Sequence, residues 1–333
     1  MKDQTSKFVD YCNSLYHNLN KFPVDLSLTR NSSFESFLNS ISGNIGANKL
    51  RTLYRKSIND IIDSRLELFK DDLELIRQLK EVKYYENSIS IYASFLIFWI
   101  KENELEISLD DINKLSTAIL TGTFGFRLLD LNQDHGLFDS RIIVLSLSLI
   151  NMFEKLLLEV SPADSTFEVI KKHIHYYCEV EYLEKANRWK TCPFMWENAV
   201  VLSNKAAPLF AILEILFRKK GFDDQRINSL LSGWRYLVSS TQLCDDITDA
   251  KEDLQNGFET LVMSGYYSKY GTKSAITEKS ISDHLSPERM KLYYETNVNC
   301  FNISREIFKK YNEDLFLLYL EIQYYQFNNS FEL

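Results

Sequence analysis

Apolar residues recur at spacings of three and four along most of this chain, with polar residues between them. This period matches one face of an α-helix, and no segment shows the strict alternation of a half-buried strand. Only 10 glycines and 5 prolines interrupt the 333 residues, which favours long helices over the many turns of an all-β protein. The pattern predicts an all-α bundle of about ten or more helices. The predicted helices cover residues 48–79, 83–103, 109–134, 139–160, 164–187, 197–219, 224–255, 258–270 and 287–327.

Three polar residues stand where predicted helices begin. Ser108 is an N-cap candidate with an aspartate three positions later, as in a capping box, and Asp223 precedes the helix predicted at 224–255. Ser286 stands before Pro287, a residue that suits the first helical position. The acidic pairs at two of these starts have an ordinary explanation, because carboxylates stabilise the positive end of the helix dipole. An aspartate pair inside a helix needs a different explanation.

No feature of the sequence marks a domain boundary. The chain has no internal repeat, no low-complexity block and no linker rich in Pro, Gly or Ser. Its 45% hydrophobic and 25% charged residues are ordinary globular proportions and supply enough apolar surface for a sizeable core. We therefore expect a single domain spanning residues 1–333, with residues 1–45 peripheral to it.

Charge and hydropathy exclude several classes of protein. The net charge of −8 and the absence of a basic cluster interleaved with aromatic residues argue against nucleic-acid binding. The longest apolar run, Ile89–Ile100, is interrupted by serines and is shorter than the about 20 residues that cross a bilayer. Residues 1–19 are amphipathic and lack the apolar stretch of a secretory signal. We expect a cytoplasmic protein with no transmembrane segment.

Cysteine and histidine positions do not indicate a zinc site. The five cysteines are scattered without CxxC spacing, which favours reduced thiols over a disulfide framework. His173 and His175 would lie about 200° apart around a helix, which argues against a shared metal ion.

The segment "QLCDDITDAKEDLQNG", Gln242–Gly257, carries a row of carboxylates inside a predicted helix. Asp245, Asp249 and Asp253 are spaced by four, so they share one helical face, where like charges repel unless a cation lies between them. Hard oxygen ligands in an incomplete set suit Mg²⁺, which is commonly completed by waters and phosphate oxygens. The alternative is a solvated acidic face with no ligand.

A second acidic pair follows another apolar helix. In "GFRLLDLNQDHG", Asp130 and Asp134 are again spaced by four. Two such faces could clamp one polyanion between them.

These features together resemble the class I isoprenoid synthases, and within them the trans-prenyl diphosphate synthases and their cyclising relatives. Gln242, the aspartates that follow it and Gly257 match the family's QxxDDxxDxxxD…G motif. The upstream segment "SNKAAPLF" resembles the family's lysine-containing helix and places Lys205 at a similar spacing from the second motif. The resemblance implies the family's all-α fold, in which two Asp-rich motifs on facing helices hold three Mg²⁺ ions against a prenyl diphosphate.

The resemblance assigns metal ligands to both motifs. Asp130 and Asp134 would bind Mg²⁺ from one wall of the site, and Asp245, Asp249 and Asp253 from the other. These five carboxylates and Lys205 form the expected catalytic set.

The same resemblance implies a substrate-binding set. Lys205 and two arginines would take the phosphate oxygens that Mg²⁺ leaves free. Asp246, which would not bind the metal directly, would orient a metal ligand or the lysine. The expected substrate-binding residues are Lys205, Gln242, Arg141, Arg127, Phe126 and Asp246.

The length of the substrate is left open. Phe126 lies one helical turn before Asp130 and is expected to face the cavity, where a bulky residue shortens the pocket in this family. Gly122 and Gly125 on the same helix are expected to leave room instead. The 14% aromatic content would suit a dry cavity that stabilises a carbocation. Substrates of C15 and C20 both fit these signals.

The motifs depart from the family's pattern at positions that bear on the choice between a terpene synthase, a prenyl diphosphate synthase and a silent relative. The first motif has Leu131 where the family usually has a second aspartate. The family's GGKxxR segment, which holds the second substrate in elongation, is matched only in part by Lys49 and Arg51 of "GANKLR", and Arg141 is a single candidate for an arginine pair. We expect a terpene synthase that ionises a linear prenyl diphosphate, releases pyrophosphate and cyclises the chain.

Two alternatives are kept. A trans-prenyl diphosphate synthase would condense isopentenyl diphosphate with an allylic primer, and would need Lys49, Arg51 and Arg141 to converge near the first motif. A catalytically silent prenyl-binding protein or partner subunit would explain Leu131. Because relatives in the family often dimerise, a homodimer is also expected.

Overall fold

The computed structural model describes residues 6–7, 9–12, 52–53, 56, 88–134, 140–189, 195–271 and 276–330. No described residue lies in a β-strand, so the predicted all-α class is confirmed for this part of the chain. The helix predicted at 48–79 lies largely outside the described residues, as do residues 83–87 of the next predicted helix.

The described α-helices are α1 (Ser88–Glu102), α2 (Leu109–Asp134), α3 (Ser140–Val160), α4 (Asp164–Trp189), α5 (Ala199–Leu202), α6 (Ala207–Lys219), α7 (Asp224–Thr248), α8 (Ala250–Asn256), α9 (Tyr266–Tyr270), α10 (Glu278–His284), α11 (Pro287–Lys310) and α12 (Asp314–Ser330). Short 3-10 helices at Trp196–Asn198 and Ser203–Ala206 lie on either side of α5.

These helices form two compact units. The first unit lies within Met1–Phe167 and Ile215–Gly221, and the second within Glu168–Glu214 and Phe222–Leu333. The expectation of one domain over residues 1–333 stays a prediction, because two compact units can belong to one domain or to two.

The first unit is built on the close packing of α2 against α3. A Cβ atom on Gly122 would lie 2.6 Å from Phe153, and one on Gly125 would lie 3.0 Å from Ile150, so the glycines allow α3 to approach. The Ser146 hydroxyl donates a 2.5 Å hydrogen bond to the Gly125 carbonyl at the same contact. The two glycines thus make room for a neighbouring helix.

The second unit is centred on α7, which packs against α11 and α12. Trp234 of α7 is buried, and its ring centroid lies 6.0 Å from that of Phe308 and 5.1 Å from that of Phe316. A Cβ atom on Gly233 would lie 2.8 Å from Phe308. Burial of aromatic area on one face of α7 leaves its opposite, more polar face available for other contacts.

All three predicted N-caps are confirmed. The Ser108 hydroxyl accepts from the Asp111 backbone N–H at 3.1 Å, and the Asp223 carboxylate accepts from the Arg226 N–H at 2.7 Å. Ser286 accepts from the backbone N–H three residues later at 3.3 Å. These contacts satisfy N–H groups that the first helical turn leaves without a partner.

The helix predicted at 197–219 is interrupted. A 3-10 turn occupies Ser203–Ala206, and α6 begins at the next residue with Pro208 in its first turn. Proline has no N–H to donate to the carbonyl of Asn204, and its ring crowds that carbonyl, so a continuous α-helix cannot pass this point.

The helix predicted at 258–270 is helical only in its last five residues, α9. Long-range side-chain contacts hold the preceding segment as a loop. The Arg289 Nε donates to the Val262 carbonyl at 2.8 Å, and Glu259 accepts from the backbone N–H of Gly265 at 3.2 Å. Gly265 has a φ of +80°, a left-handed conformation that glycine adopts without strain.

The helix predicted at 287–327 is divided into α11 and α12. Asn312 between them has a φ of +56°, which ends the first helix. The guanidinium of Arg226 donates to the Tyr311 carbonyl at 3.3 Å and to the Glu313 carboxylate at 2.9 Å. These contacts fix the connection between the two helices.

One described helical stretch, Trp196–Lys219, is long and apolar enough to cross a membrane by length and composition alone. About two thirds (67%) of the most apolar part of this stretch is buried inside the protein, as is usual for a core helix of a soluble protein. The predicted cytoplasmic location is not tested by this feature and stays a prediction.

Candidate functional site

The three regularly spaced aspartates of the second motif lie where α7 passes into α8. Asp249 interrupts the helix with φ −97° and ψ 1°. The backbone bonds continue across it, since the Asp249 N–H donates to the Asp245 carbonyl and the Asp253 N–H donates to the Asp249 carbonyl, both at 2.9 Å. The three residues therefore follow one another at successive turns. Asp245 and Asp249 are exposed, and Asp253 is half-buried.

Gly257 ends the motif. Its φ of +92° places it in the left-handed region, and its N–H donates to the Leu254 carbonyl at 3.0 Å. The next residue, Phe258, donates to the Asp253 carbonyl at 2.8 Å. Glycine is favoured at this position because a side chain would be strained there.

Asp246 has the opposite environment from Asp245 beside it. It is 4% exposed, and Gln242 Nε2 donates to its Oδ1 at 3.2 Å, while its Oδ2 is buried and has no hydrogen-bond partner. Burial raises the pKa of this carboxyl to about 7, opposed by the Gln242 hydrogen bond. The nearby charge of Glu184 raises the pKa of Asp246 further, and that of Lys205 lowers it. The aspartate is thus part of a charged cluster.

Lys205 reaches this cluster from a separate element, the 3-10 turn Ser203–Ala206. Its Nζ lies 2.6 Å from Oε2 of Glu184, and the two side chains are 24% and 15% exposed. Because Lys205 also acts electrostatically on Asp246, the structure brings it close to the second motif. The role of Lys205 as a diphosphate ligand stays a prediction.

Glu184 was not anticipated from the sequence. It lies on α4, outside both acidic motifs, in the ordinary polar run "EVEYLEKANRW". Only the packing of α4 beside the 3-10 turn reveals its role as a partner of Lys205.

A side chain of α7 contacts the 3-10 turn that carries Lys205. Arg235 Nε donates to Oδ1 of Asn204 at 3.2 Å. The same guanidinium lies over the Phe210 ring at 5.9 Å from its centroid. Arg235 stands on the same helix as Gln242, Asp245 and Asp246, so α7 supplies both the first part of the acidic motif and a contact to the lysine turn.

A buried polar network fixes the other side of α7 to α11. Asn297 Nδ2 donates to the Ser240 carbonyl at 3.0 Å and lies 3.5 Å from the Cys244 sulfur. Burial raises the pKa of Cys244 and that of Tyr293, which hydrogen-bonds to it. A thiol with a raised pKa is a poor nucleophile, so this network is best explained as holding the motif helix in place.

The two histidines of "HIH" lie on opposite sides of α4. His173 is fully buried and its Nε2 lies 2.8 Å from Oε2 of Glu214, whereas the side chain of His175 is 68% exposed. Burial lowers the pKa of His173. Lys172 Nζ lies 2.5 Å from the same Glu214 oxygen, which offsets the cost of burying that carboxylate.

The first motif lies at the end of α2, in the first unit. Asp130 is paired with Arg127 one turn earlier, so a predicted metal ligand and a predicted phosphate ligand contact each other. Asp134 is the last residue of α2, but its carboxylate lies outside the described side chains. Arg141 is exposed at the start of α3. Lys49 and Arg51 lie outside the described residues.

The sequence predicted a cavity beside the first motif, with Phe126 facing it and with Gly122 and Gly125 leaving room for substrate. Phe126 is buried against Phe153, with the ring centroids 6.3 Å apart and the planes at 86°. The space beside Gly122 and Gly125 is filled by α3. The expectation that these glycines leave room for substrate is therefore wrong, because the facing helix occupies it.

The donor chemistry of the second motif fits Mg²⁺, because carboxylate oxygens are the hard ligands that this ion prefers. Among the described residues, no group of three or more His, Cys, Asp or Glu side chains is arranged to hold a metal ion. Magnesium is usually bound by one or two carboxylates together with waters and substrate phosphates, so a complete protein cage is not required. Asp245 and Asp249, both exposed, carry side chains of this ligand type.

No protein-family model matches this chain, and no curated protein matches it. The second motif, with Lys205 beside it, is therefore interpreted from its own residues. The two acidic motifs belong to different units, and their predicted arrangement on facing helices stays a prediction.

Proposed function

We propose that this chain is a Mg²⁺-dependent class I terpene synthase with the corresponding all-α fold. It ionises a linear C15 or C20 prenyl diphosphate, releases pyrophosphate and cyclises the hydrocarbon chain. The observation that carries the proposal is that Lys205, although distant from the second motif in sequence, acts electrostatically on Asp246 of that motif and pairs with Glu184. An ammonium next to metal-binding carboxylates is the arrangement needed to hold a diphosphate.

The carboxylates have the chemistry for the metal part of this site. Asp245, Asp249 and Asp253 would hold Mg²⁺ from the second motif, and Asp130 and Asp134 from the first. Bound Mg²⁺ supplies neutralisation of the charge that collects on the leaving diphosphate.

The chain's own residues have complementary roles. Lys205 binds diphosphate oxygens and stabilises them as the carbon–oxygen bond breaks. Gln242 orients the buried Asp246, which in turn would orient a metal ligand or Lys205. Arg141 and Arg127 are the further candidates for phosphate contacts.

A catalytically silent prenyl-binding protein or partner subunit is the second candidate. The Arg127–Asp130 ion pair favours it, because it engages two residues that the enzyme would need for metal and phosphate. Leu131 in the same motif adds to this argument. The trans-prenyl diphosphate synthase alternative depends on Lys49 and Arg51, for which the described residues offer no test. A homodimer and a cytoplasmic location remain predictions for each of these functions.

Incubation of the purified chain with farnesyl or geranylgeranyl diphosphate tests the proposal. We expect Mg²⁺-dependent release of pyrophosphate from one of these substrates alone, with a hydrocarbon or terpene alcohol detected by gas chromatography and mass spectrometry. Release that requires isopentenyl diphosphate and gives a longer diphosphate would establish elongation instead. No release under any condition, with retained prenyl diphosphate binding, would establish the silent relative.

Two substitutions test whether activity depends on the proposed site residues or only on the net charge of the protein. Lys205→Gln and Asp245→Ala are each expected to lower kcat at least about 100-fold, because each removes a group that stabilises the leaving diphosphate. The matched controls are Lys291→Gln, an exposed lysine paired with Glu295, and Glu252→Gln, an exposed acid on α8. Equal losses in a control and in its partner variant would contradict the assigned site.

A further inference from the structure

Glu184 is the residue of the site that neither acidic motif contains. Its Oε2 lies 2.6 Å from Nζ of Lys205, so the two side chains form a close ion pair. Both side chains are largely but not fully buried, so their attraction is screened less than that of a surface pair. The ammonium that should bind a diphosphate is thus held by a carboxylate of the protein.

A diphosphate and Glu184 would compete for the same ammonium. Phosphate and carboxylate oxygens are both anionic acceptors that bind Lys at similar distances. The residues before Lys205 are held by two contacts: Arg235 donates to the side-chain Oδ1 of Asn204, and the Ser203 hydroxyl donates to the Val200 carbonyl at 2.5 Å. Rotation of the long lysine side chain is therefore the movement that can change its partner.

We propose that Glu184 is a positioning residue that holds Lys205 before substrate binds and releases it to the phosphate oxygens of the diphosphate. This inference rests on the proposed function, since it takes Lys205 as a diphosphate ligand. While the ion pair is intact, the Glu184 carboxylate neutralises the partly buried ammonium of Lys205 and keeps it near the second motif. The exchange sets a threshold for anion binding, because only a ligand with more negative charge than one carboxylate displaces Glu184 efficiently.

The proposal predicts that removing the charge of Glu184 strengthens anion binding. Glu184→Gln keeps the size and an acceptor oxygen, but it does not compete for the ammonium as a charged group. We expect it to bind inorganic pyrophosphate with Mg²⁺ about three- to tenfold more tightly than the unchanged protein, the effect of losing a partly buried competing ion pair. Glu184→Asp retains the charge and is expected to bind less tightly than Glu184→Gln. Isothermal titration calorimetry on the full chain measures these affinities.

A double-substitution cycle separates this exchange from a general effect of charge. If Glu184 acts through Lys205, Glu184→Gln will strengthen binding in the unchanged background and have no effect in the Lys205→Gln background. A field effect on the anion would strengthen binding equally in both. Glu179→Gln is the matched control on the same helix, because Glu179 is exposed and pairs with His175. We expect that control to change the affinity less than twofold.

The outcomes distinguish the two proposals. If pyrophosphate binds and Lys205→Gln weakens it, but Glu184→Gln binds equally or more weakly, the exchange is wrong and the proposed function stands. If neither the unchanged protein nor any variant binds pyrophosphate with Mg²⁺, both proposals are wrong. Circular dichroism of each variant checks the fold. If Glu184→Gln fails to fold, Glu184→Asp is measured instead, alone and together with Lys205→Gln. The shorter side chain places the carboxylate farther from the ammonium, so we expect a smaller gain in pyrophosphate affinity.

Discussion

At the scale of single residues, neighbouring aspartates in the second motif have different chemistry. Asp245 is exposed and Asp246 is buried, because consecutive residues of a helix point about 100° apart. Asp245 faces solvent, while buried Asp246 accepts a hydrogen bond from Gln242 and is acted on by the charges of Glu184 and Lys205. Residue type alone does not separate these roles.

His284 provides a residue-scale prediction about pH. Burial, with the nearby charges of Arg289 and Lys269, lowers its pKa from 6.5 to about 4. Its ring packs beside Tyr266 and Tyr270, with centroids 5.5 and 6.0 Å away. Between pH 6.5 and about 4 the unfolded chain binds a proton that the folded chain resists. The stability due to neutral His284 is therefore present above pH 6.5 and is lost as the pH falls, by up to about 3 kcal/mol.

Urea denaturation between pH 4 and 7 measures this loss. His284→Gln is expected to weaken the pH dependence, although buried His173, whose pKa is also lowered, will retain part of it. His175→Gln is the control, because that ring is 68% exposed. An unchanged slope in His284→Gln would show that the ring does not set the acid sensitivity.

At the scale of elements, polar residues predict where helices begin better than apolar spacing predicts where they end. Ser108, Asp223 and Ser286 cap the helices as expected, because an N-cap acts through its own first turn. The breaks at Asn204 and Asn312 were missed. Pro208 was a readable signal for the first, whereas the second depends on contacts from Arg226 that are distant in sequence.

The contact between α2 and α3 yields a prediction at this scale. Alanine at Gly122 would gain about 0.5–1 kcal/mol from helix propensity. Its Cβ atom would lie 2.6 Å from the Phe153 ring, however, and overpacking of this kind costs about 1–3 kcal/mol. We expect Gly122→Ala to lower the free energy of unfolding by about 1 kcal/mol.

The double variant Gly122→Ala/Phe153→Leu tests the cause, with Phe153→Leu alone as its reference. A smaller side chain on α3 should relieve the clash, so alanine should then be neutral or stabilising. Equal destabilisation in both backgrounds would mean that the ring is not the obstacle. Chemical denaturation of the four proteins gives the required free energies.

At the scale of the whole molecule, the first compact unit contains the first acidic motif, and the second unit contains the second motif and Lys205. A ligand that binds only the folded chain raises its free energy of unfolding. We expect Mg²⁺ and pyrophosphate together to raise the Tm by a few degrees, since a ligand at 100 times its Kd adds about 2.7 kcal/mol. Scanning calorimetry measures the shift.

The shift should need both ligands and the second motif. Mg²⁺ alone or pyrophosphate alone is expected to give a smaller rise, and Asp245→Ala should reduce the combined effect. Glu252→Gln is again the control. A combined shift of the same size in Asp245→Ala would place the binding site elsewhere.

The sequence by itself determined the helical class, the helix starts at Ser108, Asp223 and Ser286, and the row of aspartates. Each of these depends on residues within a few positions of one another, through helical periodicity, capping and spacing by four. The resemblance also predicted Lys205 as a member of the site, from its spacing before the second motif.

Tertiary structure alone decided which side chains meet. Glu184 pairs with Lys205 because α4 packs beside a 3-10 turn, and Gly122 receives Phe153 because α3 packs against α2. Burial of Asp246 likewise depends on the elements that surround α7. These contacts arise from packing between segments that are distant in sequence, and no local pattern of one segment encodes the side chains of another.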